Sequence, residues 1–443
     1  MMKKNTILKI IILTVFLSAI SGENMKSIET SQLNQNFDSN LTQANHIPIN
    51  ISGNNDLLSQ AIVEGWFGTG TDNDPLIIQN YQIDAKNSNY GIAFHNITLK
   101  VLLKNVIMSF PLISGVLIED SSNITIINNK IDNAASDGIY INRSAYITVR
   151  ANEITHTQGI DTDEGLDNDF PFAIDVSYSE HILVDKNIIR DGKNGIWFWR
   201  EVYQSTISNN IIENSTVNAG NSGIIGLGMR SYNNTLNNNL LKNSNGGGIS
   251  IIQDLGDSFI TNNTLLNTKG TGIVSVASKL LYISHNNIIN SSNKGLFLSG
   301  LTESRIEFNV VINSSDYALQ ITFGGNIIKN NDFINNSLIE NQIKQAYDSS
   351  NSKINNTFDS NYWNDWIIPD SDNDSIVDIP YILDSLITRE VKDLHPRVNP
   401  NKYIVEIEKT EIPSTTSQVP ASRWDILSIG LFFLVYSIIK RRN

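Results

Sequence analysis

A repeat of about 24 residues runs through most of this 443-residue chain and constrains its fold more than any other feature. At each step an Asn precedes a short apolar segment, as in Asn-Asn-Lys-Ile and Lys-Asn-Ile-Ile. Most copies lie 22 to 25 residues apart, and two steps are longer, at 29 and 35 residues. The aligned residues are Asn129, Asn152, Asn187, Asn210, Asn239, Asn263, Asn287, Asn309 and Asn331, with weaker copies at Asn80, Asn105 and Asn356.

A second series keeps the same step. Its members are small residues that begin short strands rich in Ile, Val, Leu and Phe. Because two registers advance together, each unit is predicted to contain two or three short strands with Asn or Gly corners. The members are Gly91, Gly115, Gly138, Ala173, Gly195, Gly223, Gly248, Gly272, Gly295 and Ala318.

These units predict an all-β fold, a single-stranded right-handed parallel β-helix of about 12 coils. Residues 23–47 would form an N-terminal linker, residues 48–358 the solenoid, and residues 359–411 a C-terminal cap. Helical repeats have longer periods, and leucine-rich repeats need a Leu framework that is missing. The aligned Asn are expected at left-handed corners, pointing inward as a hydrogen-bonded ladder. The alternative is an exposed Asn row that binds ice or sugar.

Both ends of the chain indicate a cell-surface protein. Residues 1–22 have a basic start, a short apolar run and a small-residue cleavage signature, which predicts a signal peptide. Residues 412–422 form a Ser/Thr/Pro spacer before the apolar, basic-ended segment 423–443. That segment predicts a transmembrane anchor, or alternatively a sorting signal removed after export. The expected location is extracellular, with attachment to the membrane through the C-terminal helix.

Composition excludes several functional classes. The net charge of −13 argues against nucleic acid as a partner, because phosphate binding needs a basic surface. The chain has no Cys, so neither disulfides nor thiolate chemistry contribute.

The step of 35 residues contains an acidic insertion of about a dozen residues. Oxygen-rich clusters of this kind suit Ca²⁺, and paired carboxylates suit acid–base chemistry. The alternative is a solvated acidic loop. The carboxylates in this insertion are those of Asp161, Asp163, Glu164, Asp167 and Asp169.

Strand alternation in the second series predicts one aromatic face beside this insertion. Outward positions of successive coils would be Tyr140, Asp175, Trp197 and Ile225, with Trp199 in a neighbouring row. Exposed aromatic rings next to carboxylates suit a sugar-binding groove. The alternative is that both Trp side chains pack beneath the insertion. The predicted substrate-binding residues are Tyr140, Trp197, Trp199 and Glu201.

Two segments at the ends of the repeat region carry a family resemblance. Residues 48–85 read IPINISGNND…GWFGTGTDNDPLIIQNYQIDA, and residues 358–396 include FDSNYWNDW and DSDNDSIVDIPYIL. Together with the repeat, they resemble pectate-lyase-like β-helices and, more closely, archaeal NosD-type carbohydrate-binding and sugar-hydrolase proteins. The resemblance implies a surface location and glycan contact. The copper-maturation role of NosD proteins fits poorly, because this chain has no cluster of Met or His.

Catalysis is a second possibility for the same face. A lyase needs Ca²⁺ and a basic Arg, and a hydrolase needs convergent carboxylates. The candidate catalytic residues are Asp175, Arg200, Asp163 and Glu164, chosen by neighbourhood because no catalytic motif of the family transfers to this sequence.

The C-terminal cap contains a second candidate Ca²⁺ site. Carboxylates at Asp370, Asp372, Asp374 and Asp378 occupy positions 1, 3, 5 and 9 of a calcium-loop pattern. Ser375 stands where such loops usually have Gly, and position 12 lacks the usual Glu. We expect a structural ion there, the alternative being an acidic turn.

The leading functional hypothesis is a surface-anchored β-helix that binds polysaccharide or glycan along its solenoid. The first alternative is a polysaccharide lyase or glycoside hydrolase acting at residues 161–201. The second alternative is a structural or adhesive surface protein without a specific ligand.

Overall fold

The computed structural model describes residues 43–158, 171–216, 223–337, 344–350, 354–385 and 390–401. All of these residues belong to one compact unit. The predicted signal peptide, spacer and C-terminal anchor lie outside the described residues. In the part of the chain that the structure describes, no helix has the length and apolar character needed to cross a membrane.

The described residues coil through three sheets of 13, 13 and 14 strands, visiting sheet 1, sheet 2 and sheet 3 in turn up to the C-terminal cap. Neighbouring strands are parallel except in the cap, where Tyr381–Ile382 pairs antiparallel with Lys392–Asp393. Sheet 1 contains Ala44–His46, Tyr81–Asp84, Ile107–Ser109, Lys130–Asp132, Glu153–Thr155, Ile188–Arg190, Ile211–Glu213, Leu240–Ser244, Thr264–Thr268, Asn287–Ser291, Val310–Ile312, Asp332–Ile334 and Tyr362–Trp363. Its first strand lies within the segment predicted to be a linker.

Sheets 2 and 3 continue each coil. Sheet 2 contains Ile49–Ser52, Tyr90–His95, Ser114–Glu119, Ile139–Asn142, Ile174–Ser177, Ile196–Arg200, Gly223–Met229, Gly247–Ile252, Ile273–Val276, Leu296–Ser299, Leu319–Ile321, Ala346–Asp348 and Asp384–Ser385. Sheet 3 contains Leu76–Gln79, Val101–Lys104, Ile124–Ile127, Thr148–Arg150, Leu183–Asp185, Thr206–Ser208, Thr235–Asn237, Phe259–Thr261, Tyr282–Ser284, Arg305–Glu307, Ile327–Lys329, Thr357–Asp359, Tyr381–Ile382 and Lys392–Asp393.

The core is a central column of stacked apolar side chains. On sheet 2, Ile139 pairs with Ile174, which in turn pairs with Ile196, and all three are fully buried. Along each strand, successive side chains therefore point alternately into the column and outward. The predicted parallel β-solenoid is confirmed by this register.

The predicted inward Asn ladder is also confirmed. In each coil the Nδ2 of the ladder residue donates to the Oδ1 of the next, as from Asn239 to Asn263 at 2.9 Å. The continuous members are Asn129, Asn152, Asn187, Asn210, Asn239, Asn263, Asn286, Asn309, Asn331 and Asn361.

Two details of that prediction were wrong. The ladder passes through Asn286 and Asn361 rather than Asn287 and Asn356. The left-handed corner also lies one residue before the ladder position, as at Asn128 with φ 55°. Asn80 and Asn105 occupy that corner and not the ladder.

The small residues of the second series permit close stacking of sheet 2. A Cβ at Gly248 would lie 2.2 Å from Cδ2 of Leu265 and 2.5 Å from the carbonyl oxygen of Gly272. Ile224, rather than Gly223, occupies this row in the coil formed by the 29-residue step, because Ile225 pairs with Ile196.

Both ends of the solenoid are capped. Helix α1, Asn54–Glu64, buries Leu57 and Ala61 and ends at Gly65, which adopts a left-handed φ of 68°. At the other end, Asp393 terminates the Asn ladder by accepting the Nδ2 of Asn361 at 2.9 Å. The caps therefore satisfy backbone and side-chain groups that an open solenoid end would leave unpaired.

Candidate functional site

The predicted aromatic face is partly assembled as expected. Tyr140 pairs with Asp175, and Asp175 pairs with Trp197, so these three residues occupy adjacent coils of sheet 2. The next member is Gly226, and the prediction of Ile225 was wrong. The 29-residue step contains an extra residue relative to the pattern used, so the inferred inside and outside positions are exchanged there.

Trp197 is packed rather than exposed, with 4% of its surface accessible. Its ring stacks on Phe172 at a centroid distance of 5.4 Å. It also covers Gly226, where a Cβ would lie 1.9 Å from Cζ3 of the indole. Trp197 is therefore packed and is not an open stacking platform. The insertion that the alternative places over both Trp side chains, residues 159–170, lies outside the described residues.

A bulge changes the neighbouring row. The register shifts after Val176, so Ser177 pairs with Arg200 instead of Trp199. Trp199 is half-buried and lies 5.9 Å from Trp197 between ring centroids. Arg200 turns toward the next corner of the coil, where its Nη1 donates to the hydroxyl of Tyr178 at 3.0 Å.

Asp175, a predicted catalytic residue, forms a buried carboxylate pair with Asp137, which the sequence did not indicate. Asp175 and Asp137 are 2% and 4% exposed. Burial, and then the charge of Asp137, raises the pKa of Asp175 well above its usual range. Burial likewise raises the pKa of Asp137 to about 7. The other two proposed catalytic carboxylates, Asp163 and Glu164, lie outside the described residues.

A cluster of exposed and half-buried aromatic side chains lies at the corner between sheets 2 and 3. We call Tyr146, Tyr178, Tyr203 and Tyr232 the tyrosine corner. Tyr203 and Tyr232 stack at 4.5 Å between ring centroids, and Tyr146 stacks on His181 at 4.7 Å. The exposed fractions of Tyr146, Tyr178 and Tyr232 are 56%, 44% and 42%. Neighbouring coils thus present exposed aromatic surface that is held in place by ring stacking.

Ion pairs fix the charged groups around the tyrosine corner. Arg143 bridges Asp120 and Glu119, with nitrogen–oxygen distances of 2.7 Å to each. Glu201 pairs with Arg230 at 3.2 Å and accepts the hydroxyl of Tyr203 at 3.4 Å. Because these side chains restrain one another, the corner is ordered before any ligand arrives.

A shallow cavity of about 410 Å³ lies against this corner. Its lining includes Asp120, Arg143, Tyr178, Glu180 and Tyr203. Phenol rings can stack on the apolar faces of sugars, while carboxylates, guanidinium groups and hydroxyls bind sugar hydroxyls. This combination provides the chemistry that the sequence analysis assigned to the Trp197 face.

Strand alternation could not have found this site, because its residues lie at turns. Tyr178 and Tyr146 have left-handed φ values of 51° and 56°. A usable signal existed: Arg143, Tyr178 and Glu201 each follow the last position of a sheet 2 strand at the same step as the repeat. Of the predicted binding residues, Glu201 lies at this corner.

The Asp-rich loop of the cap brings three of its four predicted ligands together. Carboxylate oxygens of Asp370, Asp372 and Asp374 lie within 4.8 Å of one another. Asp378 instead accepts the backbone N–H of Ser371 at 3.0 Å. Ser375 adopts a φ of 71°, which reproduces the backbone bend usually made by Gly. This geometry fits an oxygen-coordinated cation.

A family model described as right handed beta helix region matches residues 49–225, 90–281 and 212–362. No curated protein matches the chain. Similar solved structures include the Dettilon tailspike protein gp208, with 14% identity and a TM-score of 0.54. That alignment covers 68% of this chain and 61% of the tailspike chain, so this chain corresponds to part of it.

Two further similar structures have lower scores. The mannuronan C-5 epimerase A-module of Azotobacter vinelandii shares 11% identity over 70% of this chain and 90% of its own, with a TM-score of 0.47. The catalytic domain of a GH87 α-1,3-glucanase shares 14% identity over 64% and 54%, with a TM-score of 0.44. At such identities the likeness concerns the fold alone.

Proposed function

The chain belongs to the right-handed β-helix family, and from this premise we propose that it binds polysaccharide or glycan at the tyrosine corner. One observation carries the proposal, namely the exposed tyrosines of neighbouring coils beside the cavity of about 410 Å³. Parallel coils repeat at about 4.8 Å, so a ligand that extends along the solenoid can contact several of them. A polymer uses such a surface better than a small molecule does.

Enzymatic action on the polymer is the second candidate. The observation that favours it is the pair Asp137 and Asp175, because a carboxyl group with a raised pKa can donate a proton near neutral pH. Burial of both carboxyl groups, and the position of Arg200 against Tyr178, favour binding over catalysis.

The test compares retention of the intact protein and its variants on a panel of polysaccharides, with and without Ca²⁺. The double substitution Tyr178→Ala and Tyr203→Ala is expected to weaken retention roughly tenfold or more, because it removes two stacking surfaces. Tyr282→Ala is the matched control, since Tyr282 is half-exposed on sheet 3 and its ring makes an edge contact with that of Phe259.

Equal retention of the double variant and the wild-type protein would contradict the proposal. Polymer length is followed in the same samples. New reducing or unsaturated ends that disappear in Asp175→Asn would establish the enzymatic alternative, and unchanged length with retention would support binding.

We also propose that the Asp-rich loop of the cap holds a structural Ca²⁺. Three carboxylates within 4.8 Å of one another support this, together with the buried Oδ1 of Asp370, which has no hydrogen-bond partner in the described part of the chain. A bound cation would offset the repulsion of these carboxylates and stabilise the cap.

Calcium is therefore expected to raise the midpoint temperature of unfolding, with an affinity of roughly 0.1–1 mM. The substitution Asp372→Asn should abolish most of this increase, and Asp72→Asn, in an exposed acidic turn near the N-terminus, should leave it unchanged. Calorimetry with added Ca²⁺ measures both. An equal increase in both variants would place the ion elsewhere.

A further inference from the structure

An exposed row of Asn side chains runs along the corner that follows sheet 1. From Asn243 to Asn313, the Nδ2 of each Asn donates to the Oδ1 of the Asn in the preceding coil, from Asn243 to Asn214 at 3.2 Å and from Asn267 to Asn243 at 3.1 Å. The row continues from Asn290 to Asn267 at 3.0 Å and from Asn313 to Asn290 at 3.3 Å. We call Asn214, Asn243, Asn267, Asn290, Asn313 and Asn335 the asparagine corner. It is separate from the buried ladder and from the tyrosine corner.

Backbone geometry alone does not explain the composition of this corner. All six Asn have φ between 53° and 58°. The equivalent corner after sheet 2 has similar φ values, yet it carries Arg143 at 47°, Tyr178 at 51° and Arg230 at 62°. The solenoid therefore accepts varied side chains at such turns, and six successive Asn exceed what the turn requires.

A row of apolar side chains lies directly beside the asparagine corner on the outer face of sheet 1. Leu266 pairs with Ile289, Ile289 with Ile312, and Ile312 with Ile334. Each of these residues precedes one Asn of the corner. Over these four coils the two rows contain no charged residue, although the chain carries a net charge of −13.

We infer that the asparagine corner and its apolar row form a second binding face, for a neutral, extended polysaccharide. From Asn214 to Asn313 these hydrogen bonds, or the one to Asp191, use one of the two N–H groups of each amide, so a donor and carbonyl lone pairs remain for sugar hydroxyls. In the apolar row, the half-buried Leu266, Ile312 and Ile334 suit the C–H faces of the sugar rings, whereas Ile289 is 8% exposed. The absence of charge matches a neutral polymer, and the coil spacing of about 4.8 Å is comparable with one sugar residue of an extended chain.

This inference does not depend on the tyrosine corner. The test measures retention of the intact protein on insoluble cellulose and chitin, both neutral polymers. The double substitution Asn267→Lys and Asn290→Lys adds charge and bulk to the face without demanding a new turn, because Lys186 already adopts a φ of 56° in this chain. Retention is expected to fall at least tenfold.

The matched control is Asn238→Lys with Asn262→Lys. Both residues are half-buried Asn with φ of 56° and 57°, and they lie at the corner that follows sheet 3. The control should retain wild-type binding, and unfolding curves of both variants should agree. Absence of retention of the wild-type protein, or equal retention of the asparagine-corner variant, would overturn the inference. Thermal hysteresis without polymer binding would also overturn it and identify ice as the ligand.

Discussion

Replacing Asn263 by Ala is expected to lower the free energy of unfolding by about 3–6 kcal/mol, the largest effect of any single substitution considered for this protein. The Oδ1 of Asn263 accepts the backbone N–H of Asn239 at 3.1 Å and its Nδ2 at 2.9 Å. The Nδ2 of Asn263 donates to the carbonyl oxygen of Leu236 at 3.0 Å. Removal leaves several buried polar groups unpaired, each costing about 1–3 kcal/mol.

The matched control is Asn267→Ala in the same coil. Asn267 is exposed, so water can replace its hydrogen bonds to neighbouring Asn side chains. The expected loss is about 1 kcal/mol or less. The midpoints of denaturant unfolding measure both effects. Similar losses for the two variants would contradict the prediction that a buried ladder Asn stabilises the fold much more than an exposed Asn does.

The second large effect is a loss of stability as the pH rises. Burial raises the pKa of Asp137 from 3.8 to about 7. Between these two values the folded protein binds more protons than the unfolded chain, so the free energy of unfolding falls with increasing pH. The stabilisation is complete below about pH 4 and lost above about pH 7, which corresponds to a loss on the order of 4 kcal/mol.

Asp137→Asn should remove the part of this pH dependence that Asp137 contributes and weaken the part due to Asp175, whose pKa is raised by burial and then by the charge of Asp137. The variant should therefore be more stable than wild type at pH 8. The amide oxygen can still accept the backbone N–H of Phe172, which donates to Asp137 at 2.8 Å. Burial raises the pKa of Asp254 in the same direction and lowers the pKa of His285, but both effects are common to the two proteins. Asp191→Asn, at an exposed turn with a φ of 55°, is the control. Parallel stability curves for wild type and Asp137→Asn would contradict the prediction.

The repeat made the fold predictable because every coil satisfies the same geometric conditions. A ladder amide must recur at one position and a small residue at another, so both series are visible in the sequence. Errors arose where two neighbouring residues satisfy the pattern equally. Asn286 and Asn287 are adjacent, and only the register shows that Asn286 is fully buried in the ladder.

The candidate site was less predictable because alternation describes strands and fails at bulges and turns. At a bulge after Val176, Arg200 takes the place of Trp199 as the pairing partner of Ser177, and no residue type in the sequence marks that bulge. A side chain that points outward from its strand is also not necessarily exposed to solvent. Trp197 points outward but stacks on Phe172 and packs over Gly226. The tyrosine corner appears only when turn positions of successive coils are placed side by side.

Side-chain oxidation footprinting of the intact protein on a retained polysaccharide would test the central claim most directly. Hydroxyl radicals modify accessible Tyr side chains, and mass spectrometry compares each site with and without polymer. Binding at the tyrosine corner predicts protection of Tyr178, Tyr203 and Tyr232, with Tyr282 unchanged. Unchanged oxidation of these three residues, with protection elsewhere on the solenoid, would contradict it.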